Sequence, residues 1–175
     1  MILYKSKYGS TKQYAEWLAE ALNADMVELD SATYKQLRGY EKLIIGSHVM
    51  ASGVKGIKWL KKNYDHLGGK RIALFAVGAS PANEKDIQIL RERSLGKELE
   101  ALPLFYLRGR WNEPSMTWPD RKLCGFLKKE IQKKSVEELE SWERALLEAY
   151  QQGGEVALDW MSREQLDPLL RWASK

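Results

Sequence analysis

The chain has 175 residues, 44% of them hydrophobic, and 28 lysines and arginines against 24 acids give a net charge of +4. That length suits one domain with room for an elaboration, and the apolar fraction is enough for a real core. No run of about 18 apolar residues occurs, so no transmembrane helix is expected, and the single cysteine, Cys124, excludes an internal disulfide and fits a reducing compartment.

The first predicted strand is the apolar run Met1-Ile2-Leu3-Tyr4, with no basic leader ahead of it, so a cytoplasmic protein is expected. It breaks into Ser6-Lys7-Tyr8-Gly9-Ser10-Thr11 and then a helix over Lys12–Leu22. A strand emptying through small and hydroxyl residues into a helix N-terminus is a ready-made anion site. Unpaired N–H groups, the macrodipole, the hydroxyls and the close approach allowed at Gly9 all favour a phosphate. The plainer use of the same residues is a strand–helix turn with Ser10 as N-cap. The loop lacks both G-x-x-x-x-G-K-[ST] and G-x-G-x-x-G, which excludes a P-loop and the usual dinucleotide fingerprint.

Asp25–Asp30 alternates and reads as a second, edge strand; Ser31–Tyr40 is a connector with a helical turn at Tyr34–Leu37. Lys42–Ser47 is a compact apolar run, as for a buried parallel strand, and His48–Gly56 reads as a loop. A helix over Ile57–Leu67 ends at Gly68-Gly69. Arg71–Val77 is a fourth strand with Gly78-Ala79-Ser80-Pro81 as its exit. Ala82–Leu99 is a charged helix and Leu102–Leu107 a fifth strand.

After it comes an irregular segment, Arg108–Arg121, an amphipathic stretch over Lys122–Lys133, and a helix over Ser135–Gln151 opened by a capping box at Ser135–Glu138 and closed by Gly153-Gly154. A last helix starts either at Ser162 or with Asp167 as N-cap and Pro168 at N1. Alternating strands and helices predict one α/β domain over 1–175, with a loop and helical hairpin inserted at 108–153.

The hydroxyl-rich loop Ser6–Thr11 resembles the FMN-phosphate loop of flavodoxins, with Tyr8 in place of a middle hydroxyl residue. Five strands fit the flavodoxin-like three-layer sandwich, a parallel sheet in the order 2-1-3-4-5 with its crevice at the carboxyl ends of strands 1 and 3; flavodoxin itself exemplifies that rule. Three loops converge there: Ser6–Thr11, Ser47–Gly53 and Val77–Ala82. The layout of the whole chain, with SKYGST, LIIGSHVMASG and RGRWNEPSMTWPDR, resembles the menaquinone-dependent protoporphyrinogen oxidase type of flavodoxin-like protein. A receiver domain, which uses the same fold, needs acids where this chain has Lys5 and Ser47, and neither His48 nor His66 has a metal-ligand companion at the right spacing.

The resemblance implies FMN, its phosphate on Ser6, Lys7, Tyr8, Gly9, Ser10 and Thr11, with Lys7 or Lys12 adding positive charge. The ring is expected against Ser47, His48, Val49, Met50 and Ala51 on one side and Gly78, Ala79 and Ser80 on the other, with Ala51, Ser52 and Gly53 flexible enough for a peptide flip. Those loops offer no stacking tryptophan or tyrosine, so Arg108–Arg121 is expected either to form a lid, bringing Arg110 and Trp111 or Trp118 to the ring, or to be a plain linker. Arg108, Arg110 and Lys55 near the flavin raise its potential by charge–charge attraction. The basic balance points to an anionic redox partner, whether a protein, a quinone at a membrane surface or a carboxylated substrate, and no specific nucleic acid. Three functions follow: an FMN electron-transfer protein or oxidoreductase; a quinone-dependent protoporphyrinogen oxidase peripheral to the membrane; and a flavodoxin-like scaffold without FMN that serves as an interaction module. Cys124 reads as a small apolar helix residue, since no histidine lies near it in sequence.

Overall fold

A computed structural model describes residues 1–50, 53–81, 83–153 and 157–175. The expected ring contact Ala51, the flip residue Ser52, Ala82 at the end of the third loop, and Gly154 lie outside the described residues.

Strands β1 (Ile2–Lys5), β2 (Met26–Glu28), β3 (Lys42–Met50), β4 (Gly53–Val54), β5 (Arg71–Gly78) and β6 (Leu104–Arg108) form one sheet. Its order is β2-β1-β3-β5-β6, all parallel, and β4 folds back antiparallel on the end of β3. Apart from that short addition, this is the expected flavodoxin-like sheet.

Burial on both faces explains the near-continuous apolar strands. Leu3, Leu43, Ile45, Ile72 and Leu74 point to one side, and Ile2, Ile44, Ala73, Phe75 and Val77 to the other, with the period of two that a strand dictates. The first face is covered by α3 (Ile57–Asn63) and α4 (Glu84–Leu99), through Leu60, Leu90, Leu95 and Leu99; the second by α1 (Ser10–Leu22) and α7 (Asp167–Ser174), through Tyr14, Leu18 and Leu169. Each such side chain contributes about 1.5–3 kcal/mol when fully buried. Gly46 in β3 is fixed by this packing: a Cβ there would lie 1.9 Å from Cζ of Phe75.

A third cluster stands apart from the sheet. It gathers Trp111, Ile131, Leu146 and Ala149 from β7 (Arg110–Trp111), α5 (Trp118–Ile131) and α6 (Ser141–Gly153). β7 pairs antiparallel with β8 (Leu158–Asp159), so the segment after β6 is stitched to the C-terminal part of the chain. Among the described residues, no helix is long and apolar enough to cross a membrane.

Several boundaries differ from expectation for physical reasons. His48–Met50 continues β3 instead of opening a loop, because the turn back into β4 gives Val49 and Met50 strand partners beyond the end of β1. The second strand shortens to Met26–Glu28 and passes into a 3-10 turn, Leu29–Ser31. The turn at Tyr34–Leu37 is α2, with a full capping box on Thr33. The capping box at Ser135 closes only a 3-10 turn, Val136–Glu138, and α6 begins later, at Ser141. At the C-terminus a 3-10 turn over Arg163–Leu166 leads into α7, with Asp167 and Pro168 in the first helical turn and Leu166 as N-cap. The segment after β6 is not irregular throughout: it holds β7, a 3-10 turn at Glu113–Ser115 and the start of α5.

Candidate functional site

The phosphate-type loop is built around Gly9. Its φ of 90° is left-handed, which only glycine adopts without strain, and it caps α1 in place of Ser10. Gly9 N–H donates to Ser6 Oγ at 3.1 Å, which closes the loop on itself. The helical ladder starts with Gln13 N–H donating to the Gly9 carbonyl at 2.9 Å. The N–H groups of Ser10, Thr11 and Lys12 therefore precede the ladder and carry the positive end of the helix dipole. An added Cβ at Gly9 would meet nothing within 4 Å, so the glycine is demanded by backbone conformation and not by crowding.

Ser6, Lys7, Tyr8, Ser10 and Thr11 line one end of a cavity of about 680 Å³. The wall beyond them is the end of β3, His48, Val49 and Met50. His48 Nδ1 lies 3.3 Å from the Lys5 carbonyl, and a carbonyl only accepts, so Nδ1 carries the proton. Burial holds the imidazole below its ordinary value of 6.5, and the Lys7, Lys55 and Lys5 charges press the same way, against the Lys5 hydrogen bond. At neutral pH the ring is uncharged and Nε2 is unprotonated. Ser47 stands off this wall: it is buried, and its Oγ accepts from Gly56 N–H at 2.9 Å.

The opposite wall is the exit of β5, Val77 to Pro81. Tyr106 braces it, donating its hydroxyl proton to the Ser80 carbonyl at 2.8 Å, and burial pushes that phenol well above its usual range. Gly78 is required there, since a Cβ would lie 2.5 Å from the Tyr106 hydroxyl. Arg108 Nε donates to the Ala79 carbonyl at 3.0 Å and the guanidinium lies 3.9 Å from the Trp160 ring centre, so this arginine is committed to holding the loop. Gly109 then lets the chain pass against Ser10 and Val77, and Arg110 N–H donates to Ser10 Oγ at 3.3 Å.

The expected lid is only partly at the cavity. Arg110 and Trp111 line it, although Arg110 Nε also donates to Asp159 at 2.6 Å and Trp111 is packed edge-on against Tyr150. Trp118 and Arg121 do not line it: Trp118 is exposed, and Arg121 donates to the Pro114 and Met116 carbonyls at 3.0 and 3.1 Å. The expected charge from Lys7 meets a partner within the chain. Asp120, at the start of α5, is ion-paired to Lys7 and accepts from the Tyr8 hydroxyl, which itself accepts from Thr117 N–H at 3.2 Å. The Lys7 contact, then the Tyr8 one, holds the Asp120 carboxyl below its usual range, and the Asp120 contact raises Lys7.

Sequence reasoning missed the remaining walls. Ile87 and Leu90 of α4, Leu123, Cys124 and Leu127 of α5, and Trp142, Ala145 and Leu146 of α6 extend the cavity as a mostly apolar compartment, with Asp86, Arg93 and Glu140 as its charged members. The helical spacing of Leu123 and Leu127, and of Trp142 and Leu146, was the available signal, but a core stripe and a cavity wall look alike in sequence.

A family model described as a flavodoxin domain matches residues 1–137. A comparison with curated protein sequences gave no match. Among solved structures, a flavodoxin from the domain Archaea is 19% identical, covering 70% of this chain and 88% of its own, with a TM-score of 0.38. The two-electron reduced flavodoxin of Megasphaera elsdenii is 17% identical over 60% of this chain and 80% of its own, with a TM-score of 0.40. A flavodoxin, WrbA-like protein from Agrobacterium tumefaciens is 19% identical over 69% of this chain and 86% of its own, with a TM-score of 0.42. With scores this low, membership rests on the family model.

Proposed function

The chain belongs to the flavodoxin domain family, and from that premise we propose that it is an FMN-binding redox protein, one domain whose 108–153 segment walls the flavin site. The observation that carries the reading is the left-handed Gly9 capping α1, with hydroxyls and unpaired N–H groups at one end of a large cavity. The donor set suits a phosphate monoester: Ser6, Ser10 and Thr11 supply hydroxyls, α1 supplies backbone donors, and Arg110 supplies a cation. Bound FMN supplies electron transfer to and from a small donor or acceptor. The chain's part is to orient it. His48, Val49 and Met50 stand to one side and Gly78, Ala79 and Ser80 to the other, and Trp111 helps close the cavity against water.

Fluorescence quenching of FMN by the purified protein tests this. FMN is expected to bind, with FAD and nicotinamide dinucleotides excluded by a loop that lacks the dinucleotide glycines. Gly9→Asp should abolish binding, because it forces a β-carbon into the left-handed region and sets a carboxylate beside the phosphate. Equal affinity in the two proteins would remove this loop from the site, and no binding by wild type would leave a flavin-free scaffold as the reading. The apolar compartment between α4, α5 and α6 favours a second use of the same site: oxidation of an apolar, carboxylated donor with a quinone acceptor, as the resemblance to protoporphyrinogen oxidases implies. Turnover of protoporphyrinogen with a quinone decides between that enzyme and an electron carrier.

A further inference from the structure

The outer face of α5 is the least explained surface of the molecule. Trp118 is 66% exposed, Phe126 60% and Leu123 47%, and these three are half of the large hydrophobics left exposed among the described residues. Trp118, Lys122, Phe126 and Lys129 recur at helical spacing on one face, while Leu127 and Ile131 turn inward to the third cluster. Lys122 lies 4.1 Å from the Trp118 ring centre, and neither Lys122 nor Lys129 is paired with a carboxylate among the described residues. Residues 118–134 hold six lysines and arginines against two acids, a local excess equal to the whole chain's +4.

We propose that this face of α5 docks the protein on an anionic lipid bilayer. Tryptophan, phenylalanine and leucine interleaved with lysine is the pattern of a helix lying in the headgroup region: the rings and the leucine enter the acyl boundary, and the lysine stems cover apolar surface while their ammonium groups reach lipid phosphates. An acidic protein surface would match the charge as well; what favours the bilayer is the interleaving of rings and lysines along one face of a helix, the arrangement that seats in the headgroup region. The position adds a consequence. Leu123 lines the cavity as well as the exposed face, and Tyr8, bonded to Asp120 at the start of α5, is exposed at the cavity's other end. Docking by α5 therefore holds at the lipid a helix that also lines the cavity.

The test is co-sedimentation of the full chain, without added flavin, with vesicles of equal phosphatidylglycerol and phosphatidylcholine and with vesicles of phosphatidylcholine alone. Binding to the anionic vesicles is expected, falling as salt is raised, with little to the neutral ones. Trp118→Ser with Phe126→Ser should cut it roughly tenfold or more, as should Lys122→Glu with Lys129→Glu, with melting curves unchanged because all four side chains are exposed. Absence of binding to anionic vesicles overturns the proposal, as expected if the face instead takes an acidic protein. Binding that survives Trp118→Ser with Phe126→Ser overturns it equally. Because no flavin enters the measurement, its outcome is separate from that of the FMN titration.

Discussion

Individual residues set how closely the backbone packs and what charge the cavity carries. Gly46 and Phe75 are a matched pair across β3 and β5, so Gly46→Ala must displace a fully buried ring. Overpacking of that kind costs about 1–3 kcal/mol, read as a lower denaturation midpoint, and an unchanged midpoint would mean that the ring relocates freely. His48 gives a pH dependence whose sign follows from its environment. Its folded pKa lies below 6.5, so the unfolded chain takes up the proton first. The stability that depends on a neutral ring is intact above 6.5 and is lost as pH falls through the lower, folded value. His48→Gln should therefore flatten the fall in melting temperature between neutral pH and pH about 5, and an identical slope in the variant would assign the fall to other groups.

At the scale of elements, the contact between the phosphate-type loop and α5 joins residues 112 positions apart, Tyr8 and Asp120. Asp120 is held below 3.8 and Lys7 above 10.5, so the pair's contribution is present between those values, lost in acid as Asp120 protonates and lost in base as Lys7 deprotonates. An ion pair this near the surface is worth only about 0.2–1 kcal/mol, so Asp120→Asn should barely alter stability. Its effect on a bound phosphate should be larger, because it removes a carboxylate beside the dianion and frees Lys7. FMN affinity is expected to rise roughly tenfold, and weaker binding would show that Asp120 positions Lys7 instead of competing for it. Such a contact leaves no local trace in the sequence, whereas the strands do. Ile44, Ile45, Ala73 and Leu74 read as buried strand because both faces of the sheet are covered, whereas the cap of α1 read as Ser10 and is Gly9, because a left-handed backbone leaves no mark beyond the glycine itself. β4 was illegible because a two-residue strand has no periodicity. The capping box at Ser135 was visible, yet it caps a 3-10 turn, since the same four residues serve either structure. Tyr106 and Trp142 were missed because only the assembled sheet and helices carry them to one cavity.

Across the whole molecule, the cavity is walled by parts that fold around three separate apolar clusters: loop ends of the sheet, α4, the α5–α6 pair and the β7 strand, whose Arg110 is held to β8 by its ion pair with Asp159 at 2.6 Å. A ligand touching all of these walls stabilises them together, because it binds only the assembled state. With FMN at about 100 times its dissociation constant, the folded state gains about 2.7 kcal/mol, which for a chain of this size is a rise of about 5–10 °C in Tm. Riboflavin, which lacks the phosphate, serves as the internal comparison. If the Ser6–Thr11 loop holds the phosphate, riboflavin at the same concentration should give a much smaller shift, and Arg110→Ala should lower the FMN shift while leaving the riboflavin shift nearly unchanged. Equal shifts for FMN and riboflavin would place the flavin in the apolar compartment between α4, α5 and α6 and leave the loop at the α1 N-terminus without a ligand.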